Sequence, residues 1–283
     1  NACSMAKELS DPFTHSHAIA ADGTLAFRCA SSIADWPWLA LDPFDPIVVQ
    51  SLNYYGPYET AVFRGAYAAG QWTALTQTEW RCGERGVGHA VRGVADAPMA
   101  GDDAGYRIRF YDEQDRLVYL MTGKGVVFRN RNFEQWRERR KQDLTPYSDA
   151  GDFVYAPAAS VGVATQVESL VSDLNGETGI SVTGLVTRDN GFPPAHPYHS
   201  GSGDHVNASH LADACRQFAC LARGEPQLLV TGGRMQFQRY VELDHPFVLD
   251  LAGEGESQQG MTISISQAGE PCASVYLGWT SER

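Results

Sequence analysis

Apolar residues recur at three- and four-residue spacing between Leu211 and Ala222, at Leu211, Ala214, Cys215, Phe218, Ala219, Leu221 and Ala222, and Gly224 follows. That spacing predicts a buried helix with a glycine C-cap. A second helical face, Ile47, Val48, Leu52, Tyr55 and Tyr58, runs through Ile47 to Tyr67 and is expected to kink or break at Gly56-Pro57. Strands are expected at Leu25 to Ala30, Trp72 to Trp80, Gly86 to Val94, Val167 to Leu174 and Thr178 to Val186. Tyr106, Ile108 and Phe110 alternate into a hairpin of Tyr106 to Tyr111 and Leu117 to Phe128 around Asp112-Glu113-Gln114-Asp115. Met261 to Gln267 and Ala273 to Thr280 form another, with Val275, Leu277 and Trp279 alternating.

The two hairpins suggest an internal repeat. A shift of 157 lays Ile265 on Ile108, Glu270 on Glu113, Val275-Tyr276-Leu277 on Val118-Tyr119-Leu120 and Phe237 on Trp80, with no gap. One helix plus several antiparallel strands is thus expected twice, in units 6–128 and 159–283 with a linker over 129–158. The same shift sets Asp42 at the position of His199 and Gly56 at that of Asp213. One composite site would then hold Asp213 opposite Asp42. The other would hold His199 opposite Tyr54, Tyr55 or Glu59.

Composition narrows the partners. With 34 acidic and 22 basic side chains the formal charge is −12, which excludes general affinity for nucleic acid or anionic membranes. No apolar run of about 18 residues or secretory h-region is present, Asn1-Ala2-Cys3-Ser4 reads as a tag remnant before Met5, and a cytoplasmic location is expected. The six cysteines form no C-x-x-C pair and are expected to be reduced. The spacings among His196, His199, His205 and His210 match no common zinc pattern, so neither a metal nor an organic cofactor is expected.

A local exception to the acidic balance lies between the units, where Asn130 to Lys141 reads NRNFEQWRERRK. Asn132 can cap a helix with Phe133 and Trp136 inward, and its cations complement the helix dipole. Arg139 and Arg140 are also candidates to meet the phosphates of coenzyme A or an acidic carrier protein.

The candidate chemistry gathers at the second helix. Asp213 and Gln217 share one helix face among apolar neighbours, where a carboxylate needs hydrogen bonds or a shifted pKa. His199 stands fourteen residues before Asp213 on a loop rich in Pro, Gly, Ser and His. A histidine and a carboxylate meeting across an apolar slot can perform general acid-base catalysis.

His199 with Asp213-Ala214-x-x-Gln217 resembles the H-x13-E-A-x-x-Q pattern of hotdog-fold hydroxyacyl-thioester dehydratases, with aspartate for glutamate, and the D-x-x-x-Q element of polyketide synthase dehydratase domains. Asp204-His205-Val206, Asp213-Ala214-Cys215-Arg216-Gln217 and Phe237 to Pro246 resemble the A-factor biosynthesis hotdog family, over about residues 160 to 280. Asn207-Ala208 stands where that family has Pro-Gly. The resemblance implies an α+β fold of two tandem hotdog units, each an antiparallel sheet wrapped around a helix. It implies His199, Asp213 and Gln217 as catalytic residues and Asp204, His205, Asn207, Arg239 and Glu242 as substrate contacts, to which the repeat adds Asp42, Tyr55 and Glu59. The expected activity is acyl-thioester processing in fatty-acid, polyketide or signalling-lipid (secondary metabolite) biosynthesis, on coenzyme A or acyl carrier protein, by condensation or dehydration. A thioesterase and a non-catalytic acyl-binding protein are the alternatives, and exposed sheet edges would favour a homodimer.

Overall fold

The structure, a computed structural model, describes residues 12–66, 73–98, 105–127, 133–142, 144, 152–163, 168–175, 180–187, 204–257 and 259–279. Its strands are β1 (Thr14–Ile19), β2 (Leu25–Cys29), β3 (Thr73–Cys82), β4 (Arg92–Ala95), β5 (Gly105–Tyr111), β6 (Leu117–Val127), β7 (Ser181–Gly184), β8 (Val230–Phe237), β9 (Phe247–Ser257), β10 (Gly260–Gln267) and β11 (Glu270–Trp279). They form one antiparallel sheet in the order β1-β2-β4-β5-β6-β3-β8-β11-β10-β9-β7. Two long helices, α1 (Pro46–Phe63) and α4 (Ala208–Arg223), pack against each other; α1 also meets β1 and β5, and α4 meets β7 and β11. Two shorter ones, α2 (Phe133–Gln142) and α3 (Ala158–Val161), lie between them in sequence.

The repeat has an axis. β3 and β8 join the halves, and Thr78 pairs with Met235, the residue the 157 shift assigns to it. Away from this pair the ungapped alignment fails. Ile108 pairs with Met121, but its counterpart Ile265 pairs with Ala273, because the first hairpin turns through Asp112–Arg116 and the second through Ala268-Gly269 alone, both at positive φ. The helices disagree with that shift as well. Asp45 caps α1 and Asn207 caps α4, so Asp42 corresponds to Asp204 rather than His199, and Ser51 rather than Gly56 corresponds to Asp213.

α1 does not break at Gly56-Pro57. Proline removes the donor that the Asn53 carbonyl would otherwise use, yet the helix continues, and in the following turn Thr60 Oγ1 donates to the carbonyls of Gly56 at 2.6 Å and Pro57 at 3.1 Å. Gly56 lets the sheet approach, since a Cβ there would stand 2.9 Å from Phe110 Cζ. Packing on β5 therefore overrides the local breaker. Residues 86–91 run as loop before the short β4, and β7 covers only Ser181–Gly184 of the strands expected near it. Among the described side chains of α2 the buried one is Arg137, 3% exposed, whereas Trp136, expected inward, is 45% exposed; the Phe133 side chain lies outside the described residues.

One apolar core runs through both halves, from Phe13, Trp38 and Phe110 to Phe218, Phe247 and Leu277. Gly162, at the end of α3, has φ +59°, and a Cβ there would lie 1.6 Å from the Pro226 carbonyl oxygen. Gly162→Ala should therefore destabilise the protein by about 2 kcal/mol or more, read as a lower urea midpoint at unchanged slope. No helix among the described residues is long and apolar enough to cross a membrane.

Candidate active site

α4 is fixed at both ends. Asn207 Oδ1 accepts from the His210 N–H at 3.4 Å and from Ser209 Oγ at 2.7 Å, and His210 Nδ1 accepts from the Asn207 N–H at 3.4 Å. Gly224 closes the other end at φ 64°. Between them Asp213 is fully buried. Arg216 Nε and Nη2 donate to its Oδ1 at 3.1 and 3.0 Å, and Gln217 Nε2 donates to its Oδ2 at 2.9 Å. Gln217 is held in turn by the Leu170 N–H at 2.7 Å and by the Glu168 carbonyl. Arg216 also donates to the Val161 carbonyl at 3.0 Å, so the buried cation is well satisfied. The shared face of Asp213 and Gln217 is real, but both carboxylate oxygens are occupied.

The group facing this cluster is Asp45, which no sequence motif marks. It is the N-cap of α1, and its Oδ1 accepts from the Ile47 N–H at 2.9 Å. That is the one hydrogen bond shown for the carboxylate among the described residues. Burial, and next the negative charge of Asp213, push the Asp45 carboxyl up to about 7; Arg216 and the Ile47 N–H oppose this, and Asp42 adds to it. An aspartate followed by Pro46 at the start of an apolar run was the available signal, and it reads only as a cap.

Asp42, Pro43 and Phe44, just before Asp45, line an open cleft of about 740 Å³. Arg85 borders it from the first half, and Arg223 and Trp279 from the second, with the Arg223 guanidinium 5.1 Å above the Trp279 ring. The Tyr119 hydroxyl donates to the Pro43 carbonyl and anchors this wall; burial first, then Cys82, Asp42 and Asp45, raises its pKa. Burial and Asp42 also push the Cys82 thiol up to about 12, so it is no nucleophile at neutral pH. His89 lies beside Leu41 and Asp42. Burial lowers its pKa against their opposing effects, and its Nδ1 is shielded from solvent with no partner among the described residues. No motif pointed to it.

The other expected residues fall elsewhere. His199 lies outside the described residues. The charge of Asp213 acts on Asp45, while Asp42 Oδ1 accepts from the Phe44 N–H at 2.8 Å. Tyr55 packs among Phe13, Trp36 and Trp38, and Glu59 accepts from the Phe13 and Thr14 N–H groups at 3.0 and 2.6 Å, tying α1 to β1. Asp204 and Glu242 bind Arg137 of α2, with His205 against Tyr240 beside them. Arg239 forms an exposed pair with Glu270 at 3.0 Å. Arg139 is exposed, and the Arg140 side chain is outside the described residues. The five described cysteines are free thiols, and among the described residues no three His, Cys, Asp or Glu stand together as a metal site.

No family model matches the chain, and no curated protein does. Solved structures do. A 12:0-ACP thioesterase from Umbellularia californica aligns over 92% of this chain and 97% of its own, with TM-score 0.55 and 12% identity. An acyl-ACP thioesterase from Bacteroides thetaiotaomicron aligns over 91% and 97%, with TM-score 0.54 and 8% identity. The dehydratase domain from the CurJ module of the Curacin polyketide synthase aligns over 95% and 96%, with TM-score 0.52 and 13% identity. The chain has an α+β hotdog fold. At such identities the likeness shows the fold alone, and the A-factor resemblance rests on its residues.

Proposed function

We propose that this hotdog protein is an acyl-thioester-processing enzyme, and that the reaction is hydrolysis with Asp45 as the group that moves the proton. One observation carries the reading: a carboxyl with a pKa near 7 directly follows Asp42, Pro43 and Phe44, which line an open cleft, and it has one oxygen held by the helix and the other with no partner among the described residues. A base with that pKa is half ionised at neutral pH, where general-base catalysis works best. Asp45 would take a proton from water as its oxygen attacks the thioester carbonyl. The tetrahedral intermediate would collapse with loss of thiolate, which recovers the proton from Asp45. In the first turn of α1, Pro46 has no N–H, Ile47 donates to Asp45 Oδ1 and Val49 to the Asp45 carbonyl, and the Val48 N–H at this helix N-terminus would be the donor for the oxyanion.

Asp213 then has a positioning role. It is held by Arg216 and Gln217, and its charge adds to burial in raising the Asp45 pKa. A dehydratase needs an acid and a base on the substrate, and Asp213 offers no unoccupied oxygen for either, which favours hydrolysis over elimination. Arg85 and Arg223 at the rim would meet the phosphates of coenzyme A or of a carrier protein's prosthetic arm.

The test is mass spectrometry of acyl, β-keto and β-hydroxy thioesters on coenzyme A and on carrier protein, with and without dihydroxyacetone phosphate. Free acid with stoichiometric thiol is the expected product. Loss of water would make the enzyme a dehydratase, a phosphate-dependent ester would make it an A-factor-type synthase, and binding without turnover would overturn catalysis.

A further inference from the structure

The two approaches to the central helices correspond by their N-caps, yet they differ. Asp42 to Phe44, before α1, line the open cleft. Their counterparts Asp204 to Val206, before α4, are covered by α2. Spacing explains how: Arg137 and Lys141 are four apart and share one face of that helix.

Arg137 fills the space. Its Nη1 and Nη2 donate to the two oxygens of Glu242, Nη2 at 2.8 Å, and its Nε and Nη2 reach Asp204 Oδ2 at 3.0 and 2.8 Å. The guanidinium carbon lies 4.1 Å over the Tyr240 ring, and His205 packs edge-on to the same ring with centroids 4.5 Å apart. Arg137 is 3% exposed and Glu242 is 6% exposed. Lys141 Nζ donates to the other Asp204 oxygen, so the cation above the ring is held by its own acids while a second cation covers the rim. A planar fork matched to one carboxylate on its edge and an aromatic ring on its face is guanidinium recognition.

We propose that the recess formed by Asp204, Glu242 and Tyr240 is a guanidinium-binding site that the chain occupies with its own Arg137, and that this closes one of the two entrances to the helix pair. The ligand class is an alkylguanidinium. The consequence is asymmetry: α2 stays latched across the start of α4, while the cleft before Asp45 is open. This stands independently of the reaction proposed above.

The experiment removes the resident ligand and offers a free one. Arg137→Ala should lower the thermal midpoint and raise amide exchange in α2 and in residues 204–211 about tenfold, while residues 46–50 of α1 keep wild-type exchange. Ethylguanidinium chloride at millimolar concentration should restore both in a saturable way, leave the wild type unmoved, and outperform sodium chloride and tetramethylammonium chloride at equal ionic strength. Rescue by all three salts alike, no rescue, or equal loosening of residues 46–50 would overturn the proposal. If the variant does not fold alone, its refolding yield in ethylguanidinium against sodium chloride is the readout, and equal yields overturn it.

Discussion

Replacing Asp45 by Asn should reduce thioester turnover by about 10²–10⁴-fold while the protein stays folded, because the variant keeps the helix cap and loses the titrating oxygen. In the wild type the rate should rise with pH through about 7 and then level, as the carboxylate that accepts the proton of water forms. The variant's residual rate should lack that step. The same substitution makes a stability prediction of opposite sense. A folded-state pKa above the unfolded 3.8 means the folded form binds the proton more tightly; the resulting stabilisation is complete below about pH 4 and is lost as pH rises through 7. Asp45→Asn has nothing to lose over that range. Above pH 7 it should be more stable than the wild type by about 1–3 kcal/mol, short of the full linkage value because Asp45 is partly exposed and Arg216 is near. Urea denaturation of both proteins at pH 5 and pH 8 checks it. Turnover that survives with its pH step intact would place the proton-moving group elsewhere.

Arg216→Met should be the most damaging single change at the site. It removes the cation bound to Asp213 through two hydrogen bonds and leaves Asp213 and Asp45 sharing a buried region with no compensating charge. Breaking a buried pair from one side costs about 3–5 kcal/mol, and the loss should be larger at pH 8 than at pH 5, where one carboxyl can protonate. The double variant Asp213→Asn, Arg216→Met should recover most of it, since the amide carries no charge. Equal midpoints for the single and double variants would show that the guanidinium acts through packing and its bonds to Val161 and Gly162, not through Asp213. Since the charge of Asp213 adds to burial in raising the Asp45 pKa, Asp213→Asn alone should move the pH step of the rate downward.

Several features were legible because they are local. The period of the Leu211 to Ala222 run gave α4 and its glycine cap, and alternation gave β5, β6, β10 and β11. The pairing of Asp213 with Gln217 follows from helix geometry at four-residue spacing, and the bond between them is present at 2.9 Å. The repeat was visible in the matching alternation of the two hairpins, and its 157-residue shift holds where Thr78 of β3 pairs with Met235 of β8. It was misaligned at the helices because loops of different length intervene, and an ungapped shift cannot register that.

What the sequence determined by itself is the set of elements: two helices, antiparallel hairpins, an internal repeat, and a polar face on an otherwise apolar helix. Only the tertiary structure decided which groups meet. It carried α1 through Pro57, because contact with β5 outweighs one missing backbone donor. It turned Arg137 inward and Trp136 outward, because two acids far away in sequence face α2. And it set Asp45 beside Asp213, 168 residues later. The physical reason is one of range: backbone geometry fixes the spacing of neighbours along a helix or strand, whereas the pKa of a carboxyl depends on burial and on charges that only the packing of α1 against α4 brings near.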